Sequence, residues 1–357
     1  MDCLSQSSRS TYNERFVSQF SLFLACAENV ATVSAEPAWL PYFQLFRLPN
    51  VFTAWADILA GYLAVTQFST DTASLTPWSV FLCLITASSL IYSAGMALND
   101  YYDLEKDRQE RPSRPLPSGR VSPRLAGWLG YQFLLVGVVL AAIAGYLYTD
   151  VALPWRGGVV ALCLVASVLL YDAGLKATIF GAVAMGACRF FNLLLGMSLA
   201  GRLPEAEFSL IGYDIGQLAF AGGIAIYIAG VTWFARTEAK DSSRPLLIFG
   251  FVVLVIGLLT FVASPLLGSS VVRLRSMQTF GWCGLMLLIA VSILRRCIIA
   301  IADPSPSNVQ VAVKQALLSL ITLNAGFVLA VCGAFWAVIV ALLVAPMLLL
   351  GRWVYST

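Results

Sequence analysis

From about residue 50 onward the sequence alternates between long apolar runs and short polar breaks, and most runs reach the ~20 residues that a helix needs to cross a bilayer. They predict spans near residues 50–68, 77–98, 124–147, 156–171, 178–200, 214–235, 246–267, 277–301 and 327–350, nine in all. A further apolar piece at 311–323 is too short to span alone and belongs either in the interface or in a broken helix, which bounds the count at eight to ten. The expected fold class is all-α, a polytopic membrane helical bundle of about nine helices. Residues 46–357 read as one transmembrane domain with no internal linker, after an N-terminal extension at residues 1–45. Within that extension FVSQFSLFLACAENVATVSA fits either an amphipathic surface helix or a poorly ordered segment. It lacks the basic start before a continuous apolar core that marks a cleaved signal.

Composition agrees with this pattern: 59% of the 357 residues are hydrophobic, and the mean hydropathy is +0.82. The bases are unevenly placed. Arg9, Arg15, Arg47, Lys106, Arg108, Arg111, Arg114, Arg120, Arg124, Lys176, Arg236, Lys240, Arg244, Arg295, Arg296 and Lys314, sixteen in all, fall on one side of a nine-span chain. Five (Arg156, Arg202, Arg273, Arg275 and Arg352) fall on the other, and Arg189 lies inside a span. This bias predicts an integral protein of the cell (inner) membrane with its N-terminus and charged loops in the cytoplasm. Bases interspersed with acids at helix ends form no stripe, so no nucleic-acid partner is expected; the lipid bilayer is the partner. There is no histidine, which removes the commonest general base and most zinc catalysis. Eight cysteines without CxxC spacing read as packing residues.

Only 11% of the chain is charged, yet NDYYDLEKDRQERPSRPLPSGR (residues 99–120) carries five acids and five bases. Asp100, Asp103 and Asp107 are spaced i, i+3, i+7, so a helix continuing past residue 98 sets them on one face within about 60°. Like charges so placed repel, and a cation relieves them. Hard oxygens suit Mg2+, and Asn99 adds a neutral oxygen. Taken alone, a loop of this kind favours a solvated salt-bridge network with Lys106, Arg108, Arg111 and Arg114 over a metal site.

The order NDYYDLEKD then RPSRPLPSG resembles the first signature of the UbiA-type prenyltransferases, at the expected place between the second and third helices. The resemblance covers most of residues 45–350. It implies that Asn99, Asp100, Asp103 and Asp107 form a Mg2+ and diphosphate site for an isoprenoid donor. YDAGLKAT similarly resembles the family's Y-x-x-x-L-K segment, which implies a substrate role for Tyr171 and a phosphate contact for Lys176; Arg114 is read as a second phosphate contact. The bland reading of Lys176 is a snorkelling base or an i,i+4 pair with Asp172. Arg189, midway along an apolar span, needs a polar cavity or a buried carboxylate such as Asp57 or Asp214, and Asn192 follows one turn later. Both are candidate substrate contacts.

The resemblance weakens at the second acidic motif. TWFARTEAKDSS offers Glu238 and Asp241 but no DxxxD, among Arg236, Lys240 and Arg244. This form is similar to the divergent EboC-like branch of the superfamily. Glu238 is expected to complete the catalytic set with Asp241 as a further metal ligand, and Arg236 or Lys240 to supply charge in place of one cation. The expected function is Mg2+-assisted ionisation of a polyprenyl diphosphate and transfer of the prenyl group to an unidentified acceptor. The alternative is a membrane binding or transport component using the same pocket without chemistry. A CDP-alcohol phosphotransferase is disfavoured, because its DGxxAR element is absent.

Overall fold

A computed structural model describes residues 37–66, 78–148, 151–200, 209–237, 243–267 and 272–355. The chain divides into two units, residues 1–41 and 42–357, and every element below lies in the second. The predicted surface helix at 16–35 lies outside the described residues. Twelve helices follow the entry segment: α1 (Val51–Thr66), α2 (Trp78–Tyr102), α3 (Leu104–Glu110), α4 (Pro123–Leu147), α5 (Arg156–Ala173), α6 (Gly181–Gly196), α7 (Ile215–Phe234), α8 (Arg244–Leu267), α9 (Thr279–Ala302), α10 (Pro306–Cys332), α11 (Ala334–Leu342) and α12 (Val344–Tyr355). A two-residue hairpin, β1 (Ser209–Leu210) and β2 (Tyr213–Asp214), precedes α7. Among the described residues ten stretches are long and apolar enough to span, with α11 and α12 together making the last. The chain is an integral membrane protein.

Ten spans sit at the upper bound of the predicted eight to ten, and the one added to the nine first drawn lies in the last 50 residues. The piece at 311–323 is the middle of α10, a full 27-residue helix, and residues 327–332 belong to α10 instead of opening the final span. Gln315, Ser319, Thr322 and Asn324 made that stretch look interrupted; Ser319 and Asn324 are buried among other helices. The real break is Gly333, whose φ of +97° ends α10 within a continuously apolar run. With an even number of spans the C-terminus returns to the starting end, where Gln44 Nε2 donates to Val354 O at 3.2 Å. Arg352 therefore joins Arg47 at that end, and the two groups of bases counted along the sequence become seventeen and four.

Lipid offers no hydrophobic drive between helices, so close packing must hold them together. The α7–α8 pair shows how. Gly223 and Gly230 on α7 face Gly250 and Gly257 on α8, and a Cβ built at Gly223 would sit 2.5 Å from Phe261 N, one at Gly250 2.7 Å from Phe234 N. The two backbones touch along this seam.

The opposite end of the bundle is fixed by Arg156, which the sequence placed at the outer end of the fourth span and which is fully buried. Its guanidinium donates to Ser198 O at 3.0 and 2.8 Å and to Gly212 O at 3.0 Å, and lies 4.7 Å from the Tyr213 ring centroid. Burial pushes the Tyr213 phenol above its ordinary pKa, so it stays neutral beside the cation. Asp214 then starts α7 with a capping box: its Oδ1 accepts from Gln217 N at 2.8 Å and Gln217 Oε1 accepts from Asp214 N at 2.9 Å.

Candidate active site

The site is built where the charged ends of α2, α5, α6 and α7 meet. α2 ends at Tyr102, Asp103 breaks the helix with φ −89° and ψ 3°, and α3 resumes at Leu104. Backbone bonds Asp103 N to Asn99 O (3.0 Å) and Asp107 N to Asp103 O (2.8 Å) keep a near-helical register across the break. The one-face expectation therefore holds in outline, with Asp103 turned aside. The RPSRPLPSG loop folds back because Leu116 and Val121 bury against Leu45, Ala97 and Ala126, an apolar anchor that aims Arg114 inward.

Arg114 Nη1 lies 2.6 Å from Asp107 Oδ2 and 3.1 Å from Asp100 Oδ1, and Arg47 Nη2 reaches the same Asp100 oxygen at 3.2 Å. The Asp100 and Asp107 side chains are only 4% and 5% exposed. Arg47 does this from a left-handed backbone, φ +47°, which a non-glycine residue adopts only where its surroundings enforce it. Lys176 Nζ stands 2.7 Å from Asp103 Oδ1, an ion pair too poorly angled for a hydrogen bond, so the ammonium keeps donors to spare. Asn99 Nδ2 donates to Asp172 Oδ1 at 3.0 Å, whereas Asp172 Oδ2 is buried without a partner. Arg236 Nη2 donates to Ala177 O at 2.9 Å and ties the start of the loop after α7 to the Lys176 segment. The outer acids and bases of the charged stretch pair among themselves: Arg108 with Glu105 at 2.7 Å and Lys106 with Glu110 at 3.9 Å.

Beneath this end an apolar cavity opens, about 590 Å³ of empty space including its mouth. Tyr171, Asp172, Met96 and Met185 line its outer part, Gly95 and Val168 its middle, and Ser88, Ala54, Arg189 and Asn192 its inner end. There Arg189 Nη1 donates to Asp57 Oδ2 at 2.9 Å and Nη2 to Thr53 Oγ1 at 2.7 Å. A separate polar crevice, lined by Gln44, Arg47, Asp100, Ser113, Arg114 and Arg120, opens on the other side of Asp100.

Of the residues singled out from sequence, Asn99, Asp100, Asp103, Asp107, Arg114, Lys176 and Tyr171 come together, with Arg236 alongside. Arg189 and Asn192 sit at the inner end of the cavity, and Arg189 takes the Asp57 partner that the sequence offered as one alternative. Glu238, Lys240 and Asp241 lie outside the described residues. The bland alternative for Lys176, an i,i+4 pair with Asp172, is not what the structure shows: its ion pair is with Asp103. Sequence reasoning missed Asp172 and Arg47 as site groups. Asp172 was read only as a local ion-pair partner and Arg47 only as a topology marker, although each stands where an apolar span meets its polar edge.

Three cations (Arg47, Arg114, Lys176), with Arg236 alongside, face four carboxylates (Asp100, Asp103, Asp107, Asp172), so the end is close to neutral before any substrate arrives. A diphosphate brings further negative charge, which a divalent cation with hard oxygen ligands offsets in part. The donor chemistry fits Mg2+, and the orphaned Asp172 Oδ2 is a carboxylate oxygen in want of a cation. Among the described residues no three such ligands already converge on one point, and Arg114 and Lys176 stand against the Asp107 and Asp103 carboxylates.

The fold and site together define an all-helical membrane protein with carboxylates and bases interleaved over an apolar cavity. The chain belongs to the UbiA prenyltransferase family, whose profile matches residues 58–309. It is 34% identical over 157 residues to a digeranylgeranylglyceryl phosphate synthase of Metallosphaera sedula, covering 44% of this chain and 50% of that one. It is 28% identical over 235 residues to the protein of the same name from Methanopyrus kandleri, covering 61% and 83%. The match thus spans about half the length of the first of these relatives. Its fold is that of a solved digeranylgeranylglyceryl phosphate synthase (TM-score 0.58, 17% identity, 83% of this chain and 99% of that one). It is equally that of a UbiA homologue from Archaeoglobus fulgidus bound to GPP and Mg2+ (TM-score 0.56, 15% identity, 84% and 99%).

Proposed function

We propose that this chain is an integral-membrane prenyltransferase that takes a polyprenyl diphosphate donor at its charged end and passes the prenyl group to an acceptor yet to be identified. The observation that carries this reading is the set of interleaved carboxylates and cations at the mouth of an apolar cavity, with Asp172 Oδ2 unpartnered. The solved homologue with GPP and Mg2+ supports both the donor class and the metal. Asp100, Asp103 and Asp107, with Asp172 beside them and Glu238 and Asp241 from the loop after α7, would hold Mg2+. When bound, Mg2+ neutralises the diphosphate and makes it a leaving group.

The chain's own residues do the rest. Lys176 and Arg114 donate to phosphate oxygens, and Arg47, Arg236 and Lys240 add positive field. Tyr171 and the apolar walls sheath the tail and keep water from the allylic carbon as its bond to oxygen breaks. The acceptor's proton leaves to a carboxylate or to the released diphosphate, so no histidine is required. The charged end faces the cytoplasm of the cell membrane in this reading, following the seventeen bases counted on that side along the sequence.

The test is diphosphate release by the purified, detergent-solubilised protein given geranyl, farnesyl and geranylgeranyl diphosphates, with and without Mg2+, for wild type and Asp103→Ala. Release or transfer that depends on both Mg2+ and Asp103 is expected. A donor that binds but releases no diphosphate with any acceptor sinks the enzyme reading and leaves a binding or carrier role.

A further inference from the structure

The cavity below the charged end is closed at its inner end by a polar floor. Ser88 Oγ donates to Asn192 Oδ1 at 2.7 Å, and Asn192 Nδ2 donates to Ala54 O at 3.0 Å and Asp57 Oδ2 at 3.3 Å. Asp57, fully buried, also accepts from Arg189 Nη1 at 2.9 Å and from Asn324 Nδ2 at 2.9 Å. Four helices, α1, α2, α6 and α10, are thus stitched across the path that a hydrocarbon chain would follow inward. We propose that this floor is a chain-length stop, and that the cavity takes a prenyl tail of up to three isoprene units. The inference rests on the polyprenyl diphosphate reading of the charged end.

Length decides it. At ~1.5 Å per residue, Asp172 to Leu164 along α5 spans about 12 Å, and Asn99 to Ser88 along α2 about 16 Å; Leu164 and Ser88 both line the cavity. An extended chain advances ~1.2 Å per bond, so a geranyl tail runs ~10 Å, a farnesyl tail ~14 Å and a geranylgeranyl tail ~19 Å. Leu164 only lines the wall, whereas Ser88 belongs to the floor, so against the ~16 Å depth to Ser88 the geranylgeranyl tail alone overshoots. It cannot part the floor cheaply, because hydrocarbon replaces none of the donors on Asp57 and separating Asp57 from Arg189 strands a buried charge.

The experiment is equilibrium binding of the non-hydrolysable thiolodiphosphate analogues of the three donors to the full chain in Mg2+. In an open apolar slot each added isoprene unit would tighten binding more than about tenfold. The expected result is tightening from geranyl to farnesyl and none, or a loss, at geranylgeranyl. Leu164→Trp, which intrudes above the floor, should weaken the farnesyl analogue about tenfold and the geranyl analogue less than about threefold. Asp57→Asn combined with Arg189→Ala opens the floor and should restore about tenfold to geranylgeranyl relative to farnesyl. Continued tightening through geranylgeranyl in the wild type overturns the proposal, whether or not either variant folds. If the plateau is present but no donor is ever turned over, the enzyme reading falls and the chain-length stop stands.

Discussion

Arg114 is the residue whose removal best separates a salt-bridge network from a metal site. In Arg114→Ala, Asp107 loses its 2.6 Å ion pair and Asp100 its 3.1 Å one, while Arg47 still holds Asp100 at 3.2 Å. Removing one partner of a buried ion pair costs about 3–5 kcal/mol, and the surviving Arg47 contact argues for the lower figure, about 3 kcal/mol. An unfolding entropy of ~2.1 cal/mol/K per residue gives about 0.7 kcal/mol/K for a chain of this size, so Tm should fall about 4 °C in EDTA. The freed carboxylates are then available to Mg2+, and a ligand at a hundred times its Kd returns about 2.7 kcal/mol, nearly the whole loss. The wild type, in which Arg114 stands against those carboxylates, should gain less than about half as much at the same concentration. Thermal unfolding of both proteins in detergent, across a Mg2+ titration, reads this directly. If Mg2+ stabilises the wild type as much as the variant, or stabilises neither, the carboxylates under Arg114 are not a metal site.

Two further expectations concern the scaffold. Gly257→Leu drives a side chain into the α7 backbone at Tyr227 and should cost about 3 kcal/mol or more, seen as loss of a monodisperse peak on size exclusion; Gly284→Leu, where nothing lies within 4 Å, is the control. Arg156→Met leaves Ser198 O and Gly212 O short of three hydrogen bonds and should lower stability by about 2–4 kcal/mol. Because Arg156 lies at the far end from the diphosphate site, farnesyl analogue affinity should stay within about twofold of wild type, measured by the same binding titration.

The bundle was legible from run length, because a bilayer imposes one dimension on every span. The exception, α10 to α12, failed for a physical reason: helix breaks made by backbone torsion, as at Gly333, leave no polar mark, while Asn324 and Ser319 leave a polar mark without a break. The first acidic motif could be read because its candidate ligands come from about two turns of chain. The partners of those acids could not. Lys176 reaches Asp103 from the far side of two spans, and Asp57 meets Arg189 and Asn324 across 132 and 267 residues. No local spacing encodes such pairs; only the packing of α1 against α6 and α10 brings them together. Asp172 escaped for the same reason, being held by Asn99 on another helix.

That separation bears on how the protein is made. α1 is the first of the described spans to leave the ribosome, and it carries Asp57 into the membrane with no cation of its own. At ~5–20 residues per second, the 132 residues to Arg189 take about 7–26 s to synthesise, and Asn324 follows as long again later. A lone aspartate at the centre of a span costs about 3 kcal/mol to insert, so α1, the least hydropathic of the ten spans, is the one least able to settle in lipid by itself. Its final seat exists only after α6 arrives. Biogenesis of this chain is therefore closed from the middle outward: the earliest helix waits for a late one, and a truncation before residue 189 should leave α1 exposed to membrane quality control even though every residue of α1 is present.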